Sequence, residues 1–158
     1  MISHLNKKNK PTIVDISSKK ITNRIAIAQG IVKFSKSTFA KIESLKTKKG
    51  EIKSIAIIAG IIGAKKTSDI IPLCHNIKIE NIDIDIKAIK KISSLKVTSF
   101  VKSRGKTGVE MEALNAVSIT CLTIYDMCKS IDKNIVIKDI RLVKKKGGKS
   151  DFSKSKKY

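Results

Sequence analysis

Residues 105–129, GKTGVEMEALNAVSITCLTIYDMCK, decide how the rest of the chain must be arranged. If Val109 to Ser130 is one helix, Leu114, Val117, Cys121, Ile124 and Cys128 recur at alternating steps of three and four and form a single buried stripe. The helix opens with two carboxylates, Glu110 and Glu112, and closes with an acid and a base, Asp126 and Lys129. Glu112 and Asp126 then lie roughly 40° apart around the axis and about 21 Å apart along it. One small substrate cannot touch both within one subunit. If both act on it, one of them comes from a neighbouring copy of the chain.

Upstream, Arg24–Phe34 (RIAIAQGIVKF) alternates as a strand with an irregularity at Gly30, preceded by the short apolar alternation IVDIS. Ser37–Thr47 reads as a short helix carrying Phe39, Ile42 and Leu45, stopped by Lys48, Lys49 and Gly50. Glu51–Lys66 (EIKSIAIIAGIIGAKK) is apolar almost all round and predicts a buried helix. Its Gly60 and Gly63 cost about 1 kcal/mol each against alanine, which close packing of another backbone would justify. Pro72 marks the exit from that helix. Isoleucines 77, 79, 82, 84 and 86 give a strand with a slip near Asn81, Ile92–Lys102 a second, and Asn134–Lys144 a last one. Strand, helices, strand, strand, helix, strand is the split order of a ferredoxin-like α+β layer, an antiparallel sheet with helices on one face. One catalytic domain over 13–146 is expected, between mobile tails at 1–12 and 147–158.

With 158 residues, 41% of them hydrophobic, the chain can bury one core and is short for two. No apolar run is long enough to span a bilayer, and MISHLNKKNKPT lacks the apolar stretch of a signal peptide. Cys74, Cys121 and Cys128 have no metal-type spacing and are odd in number, which points to reduced thiols in a cytoplasmic protein without a membrane partner. The net charge of +21 invites a nucleic-acid partner. However, aromatics at 4% leave few stacking platforms, and lysine and isoleucine are abundant together, as codons rich in A and T would make them. Lysines beside acids and a histidine are more telling than the lysine total.

Gly105, Lys106 and Thr107 resemble the end of a phosphate-binding loop, but Phe100 stands where that loop needs glycine, so the nucleotide-hydrolase reading fails. What remains is a turn offering N–H groups and Lys106 ahead of a helix N-terminus, a place suited to anions, or a plain turn with an exposed lysine. His75, after Leu73 and Cys74, is either a satisfied structural residue or a proton-transfer group on an exit loop. Acids such as Glu110 and Glu112 are also favoured by the helix dipole alone, and Asp126 with Lys129 can equally be a surface ion pair. No ligand cluster for a structural metal is present and no cofactor is expected; whether magnesium accompanies a phosphate substrate is left open.

Taken in order, VDIS, Thr22 with Arg24, AGI followed by AKKTSD, KTSDIIPLCH, GKTGVEMEAL, TIYDMCK and RLVKKKGGKS resemble one family closely, from about Val14 to Asp151. That family is the molybdenum cofactor biosynthesis protein C family, the cyclic pyranopterin monophosphate synthases. The resemblance implies a cytoplasmic lyase that converts the 3',8-cyclo-7,8-dihydroguanosine triphosphate intermediate to cyclic pyranopterin monophosphate and diphosphate. It also implies a ferredoxin-like fold and a hexamer built from dimers, with sites at the dimer interface. Matched by motif, Asp126 corresponds to the catalytic acid or base, with Lys129 beside it. Leu73, Cys74, His75, Met111 and Glu112 correspond to substrate-binding segments, and Glu110 to a further active-site acid. Arg24, Lys49, Lys145 and Lys149 correspond to basic residues that would hold the triphosphate.

Three departures stand out: Asn76 where the family has proline after CH, Ile57 where a basic residue is usual, and GGKSDF where GGKSGDF is usual. None removes an expected catalytic group. A catalytically silent scaffold of the same fold and a basic nucleic-acid-binding module are the alternatives.

Overall fold

The computed structural model describes residues 5, 8–42, 46–47 and 50–154. Along the chain run β1 (Thr22–Lys33), α1 (Lys36–Lys41), β2 (Lys46–Thr47), β3 (Gly50–Glu51), α2 (Ile52–Lys65), α3 (Thr67–Ile70), β4 (Ile79–Ile89), a 3-10 turn (Lys90–Ile92), β5 (Ser94–Gly105), α4 (Glu110–Cys128), β6 (Val136–Lys146) and β7 (Phe152–Ser153). Period-two alternation makes β1 the centre of the sheet, with Ala26, Ala28, Gly30 and Val32 turned to one face and buried. It pairs antiparallel with β5 on one side and β6 on the other, β4 adds to β5, and β7 adds to β6. The sheet order is therefore β4-β5-β1-β6-β7. The first strand sits centrally between the third and the last, which is the expected ferredoxin-like α+β arrangement.

Small residues let the helices approach. A Cβ added at Gly30 would come within 2.7 Å of Val117 Cγ1, so α4 lies directly on β1 at the point where the β1–β6 register shifts. Opposite that shift, Asp139 takes up the extra residue at a φ of 57°. A Cβ at Gly60 would meet Thr120 Oγ1 at 2.1 Å and the Ala116 carbonyl at 2.9 Å, and one at Gly63 would meet Ile119. Both glycines are thus required where α2 crosses α4. Two hydrogen bonds fix the helix layer further: Ser99 Oγ donates to the Ala113 carbonyl at 2.8 Å, and Asn115 Nδ2 donates to the Gly63 carbonyl at 2.7 Å. Val117, Cys121, Ile124 and Cys128 are fully buried, as the stripe predicts; Leu114 is half-buried at its edge.

The short apolar alternation IVDIS stays outside the sheet. Three expectations change. The first helix ends at Lys41 rather than Thr47, because Phe39 and Ile42 already fill their core positions and the chain turns to pair Lys46–Thr47 with Gly50–Glu51. The α2 helix is not buried all round. Close contact selects its small-residue face (Ala56, Gly60, Gly63 and Ala64), which leaves Ile58 and Ile62 59% and 54% exposed. Finally, the segment expected as a tail after residue 146 turns back, and Phe152–Ser153 pairs with Lys144–Lys145. No described helix is long and apolar enough to cross a membrane.

Candidate active site

Two turns meet at one end of the sheet, and Arg24 ties them together. From the buried face of β1 its Nε donates to the Gly105 carbonyl at 3.3 Å and its Nη2 to the Lys106 carbonyl at 3.2 Å. Beside it, Thr22 Oγ1 donates to the Gly147 carbonyl at 2.7 Å, which clips down the turn after β6. Gly147 has a φ of 87°, and a Cβ there would strike the Asn23 carbonyl, so this turn requires glycine. The N-terminal segment closes a third side, where the Lys106 ammonium donates to the Ser17 carbonyl.

These contacts enclose a cleft of about 160 Å³ bordered by six cations, Lys19, Arg24, Lys106, Lys145, Lys146 and Lys149. The acid in its lining is Glu110, whose Oε1 lies 3.4 Å from Lys145 Nζ. Six cations facing one carboxylate around a small concave space make a receptor for a multiply charged anion. The N-terminus of α4 adds N–H groups beside it, since Val109 provides no side-chain cap.

Glu112, two residues into the same helix, is in a different state. It is 3% exposed and its Oε2 has no hydrogen-bond partner. Burial pushes its carboxyl pKa up to about 7; a hydrogen bond to its own backbone works against this, and the Glu110 charge adds to it. A carboxyl poised near neutrality can give or take a proton. Its neighbourhood includes Cys74, whose thiol is pushed up by burial and then by the Glu112 charge. Next to Cys74, His75 Nε2 lies 2.7 Å from the Val14 carbonyl. Only a protonated Nε2 can donate to a carbonyl, so the neutral ring keeps Nδ1 as its basic nitrogen.

Of the residues singled out from the sequence, the structure gathers Arg24, Glu110, Lys145 and Lys149 around the cleft. Glu112 lies next in α4, with Cys74 of the 73–75 segment beside it. Met111, between the two acids, points outward. Lys49 lies outside the described residues. Asp126 and Lys129 form an exposed ion pair at 2.7 Å at the far end of the same helix, about 21 Å away at 1.5 Å per residue. The Lys129 ammonium is raised by its hydrogen bond to Asp126 and by that charge. Lys19, Lys106 and Lys146 were not among the expected ligands. Lys106 was legible as part of an anion-suited turn, whereas Lys19 and Lys146 were lost among the chain's many lysines. Among the described residues, no three of His, Cys, Asp and Glu come together as metal ligands.

Residues 13–148 match the family model described as the MoaC family. A Helicobacter hepaticus protein named cyclic pyranopterin monophosphate synthase is 53% identical over 152 residues, covering 96% of this chain and 96% of its own. One of the same name from Campylobacter jejuni is 52% identical, covering 94% of this chain and 95% of its own. Another, from Peptoclostridium acidaminophilum, is 49% identical, covering 94% and 93%.

Proposed function

Because the chain belongs to the MoaC family, we propose that it is a cyclic pyranopterin monophosphate synthase, a lyase of molybdenum cofactor biosynthesis. Its substrate is the 3',8-cyclo-7,8-dihydroguanosine triphosphate intermediate, and its products are cyclic pyranopterin monophosphate and diphosphate. The observation that carries this reading is the cleft in which six cations face a single carboxylate, two residues along α4 from a buried acid. Arg24, Lys145 and Lys149 hold the triphosphate and stabilise the charge that collects on the departing diphosphate. Lys19, Lys106 and Lys146 share that task, and Lys49 joins them. Glu110 keeps Lys145 in place. Glu112 and His75 carry protons during ring opening and reclosure, and Leu73, Cys74 and Met111 line the ring's side of the site. A magnesium ion on the diphosphate would find its ligands on the phosphate oxygens.

Asp126 and Lys129 complete the chemistry from a second copy. Supporting this, both are exposed, they lie about 21 and 26 Å along the axis from Glu112 within one copy, and Leu122, one turn before Asp126, is 54% exposed. Ile58 and Ile62 on α2 are exposed as well, and exposed apolar side chains of this kind mark interfaces. The assembly is a hexamer, a trimer of such dimers, working in the cytoplasm, where Cys74, Cys121 and Cys128 stay as free thiols.

Incubating the purified protein with the cyclised guanosine triphosphate compound should release one diphosphate per pterin formed; binding without release would reject the activity. Sharing of the site is tested by mixing inactive Asp126→Ala chains with inactive Glu112→Gln chains. Mixed dimers should regain one intact site in two, whereas a mixture as inactive as its components would place both groups in one subunit's chemistry.

A further inference from the structure

The segment that brings Cys74 and His75 to Glu112 has almost no core of its own. Between Thr67 and Ile84 no residue is buried, and Ile77, Ile79 and Ile82, which pack part of their surface on the core, all come after His75. The single turn of α3 offers the interior one residue, Thr67. A segment with so little apolar anchorage is placed by polar ties at its ends. Its far end is held by Ser103, whose hydroxyl donates from β5 to the Lys78 carbonyl at 2.8 Å. Its near end is held by Asn115.

Asn115 lies three residues after Glu112 on α4, so the two side chains stand about 60° apart around the helix. Its Nδ2 donates to the Gly63 carbonyl at 2.7 Å and to Thr67 Oγ1 at 3.2 Å, which uses both amide protons. One side chain thus spans the end of α2 and the start of α3. The Gly63 carbonyl already has a local donor, the Lys66 N–H at 3.2 Å. The shorter bond from Asn115 comes from another helix, and it fixes where the α2–α3 corner sits. From Thr67 the tie runs on through the backbone: the Ile71 N–H donates to the Thr67 carbonyl at 2.9 Å, and the Cys74 N–H to the Ile71 carbonyl at 3.1 Å. At the end of this path the Glu112 charge is felt at the Cys74 thiol. The path is therefore a closed ring, from Glu112 along α4 to Asn115, across to the corner, and back through Cys74 and His75.

We propose that Asn115 is a positioning residue of the reaction, which holds the α2–α3 corner on α4 and so sets the Cys74–His75 segment against the Glu112 carboxyl. This inference rests on the activity proposed above. Asn115 does not border the cationic cleft, and its amide protons are spent inside the fold. It therefore acts through distance alone. A displacement of about 1 Å between reacting groups is enough to cost a hundredfold in rate. The residues that hold the phosphates stand on β1, β6 and the turns beside them, away from this corner. A lost tie should consequently appear in kcat and leave KM in place.

The test follows diphosphate release by full-length chains. Asn115→Leu removes both donors and should lower kcat about ten- to a hundredfold while changing KM less than about twofold. Thr67→Val removes the hydroxyl at the other end and should do the same, whereas Thr67→Ser keeps it and should stay within about threefold of the unaltered chain. The double variant Asn115→Leu with Thr67→Val should be no slower than Thr67→Val alone, because both cut one tie. Unchanged kcat in Asn115→Leu, a Thr67→Ser chain as slow as Thr67→Val, or a loss carried wholly by KM would overturn the proposal. Should Asn115→Leu fail to fold, Thr67→Val against Thr67→Ser makes the same comparison. Alkylation of Cys74 by iodoacetamide, read by mass spectrometry, needs no turnover, and Cys121 and Cys128 are fully buried. Cys74 should react about tenfold faster in Asn115→Leu than in the unaltered chain, and an equal rate would overturn the tie. Faster alkylation in a chain whose unaltered form releases no diphosphate would instead reject the activity and keep the tie.

Discussion

The two ends of α4 carry the same kinds of group in opposite circumstances. At the N-terminal end, Glu112 is buried with an unpartnered oxygen and Glu110 is held by Lys145 beside a cationic cleft. At the C-terminal end, Asp126 and Lys129 pair with each other in the open. Burial has already tuned Glu112, while the second pair stands in water. On the proposed shared site, one folded copy prepares half of it, and the other half gains its chemical strength only when a second copy excludes water from it.

The comparison can be broken most sharply at the exposed end. Asp126→Ala and Lys129→Ala should each lower kcat by two to four orders of magnitude, the span typical of a lost proton-transfer group. The thermal midpoint of the dissociated chain should shift little, since an exposed ion pair contributes under about 1 kcal/mol. Full turnover in both variants would remove the C-terminal half of the site.

At the buried end the signature is in pH. Glu112 has a folded pKa of about 7 against an ordinary 4.5, so between these values the folded chain keeps a proton that the unfolded chain releases. Stability therefore falls as pH rises through that window, and the ionised carboxylate costs on the order of 3 kcal/mol above it. Glu112→Gln should be more stable than the unaltered chain at about pH 8 and equal to it below about pH 4, as read from urea midpoints. A difference that does not move with pH would show that the carboxyl is ordinary.

The smallest of these effects concerns the cleft at the N-terminal end of α4. Lys145→Met removes one of six cations and should raise KM about tenfold, worth about 1.4 kcal/mol, with little change in kcat. A loss confined to kcat would instead make Lys145 part of the chemistry.

Much of this was legible from residue order. Alternation located β1, β4, β5 and β6, the steps of three and four located α4, and the slip near Asn81 and the irregularity at Gly30 both appear as register shifts. What failed was the orientation of α2. Its isoleucines lie all around the helix, so periodicity offered no face to choose. The choice fell to Gly60 and Gly63, because only their side of the helix lets the backbone of α4 come close. The β7 return was missed because two residues are too few to show a period.

The sequence by itself determined the sheet, the long helix, the family and the chemical types at the site, because each rests on local periodicity or on motifs that survive in one dimension. Only the tertiary structure decided which lysines, out of a basic chain, converge on one cleft, and which of two acids two residues apart loses its water. Charge convergence and desolvation are properties of neighbours in space, and neither the spacing between Lys19 and Lys145 nor that between Glu110 and Glu112 along the chain could have fixed them.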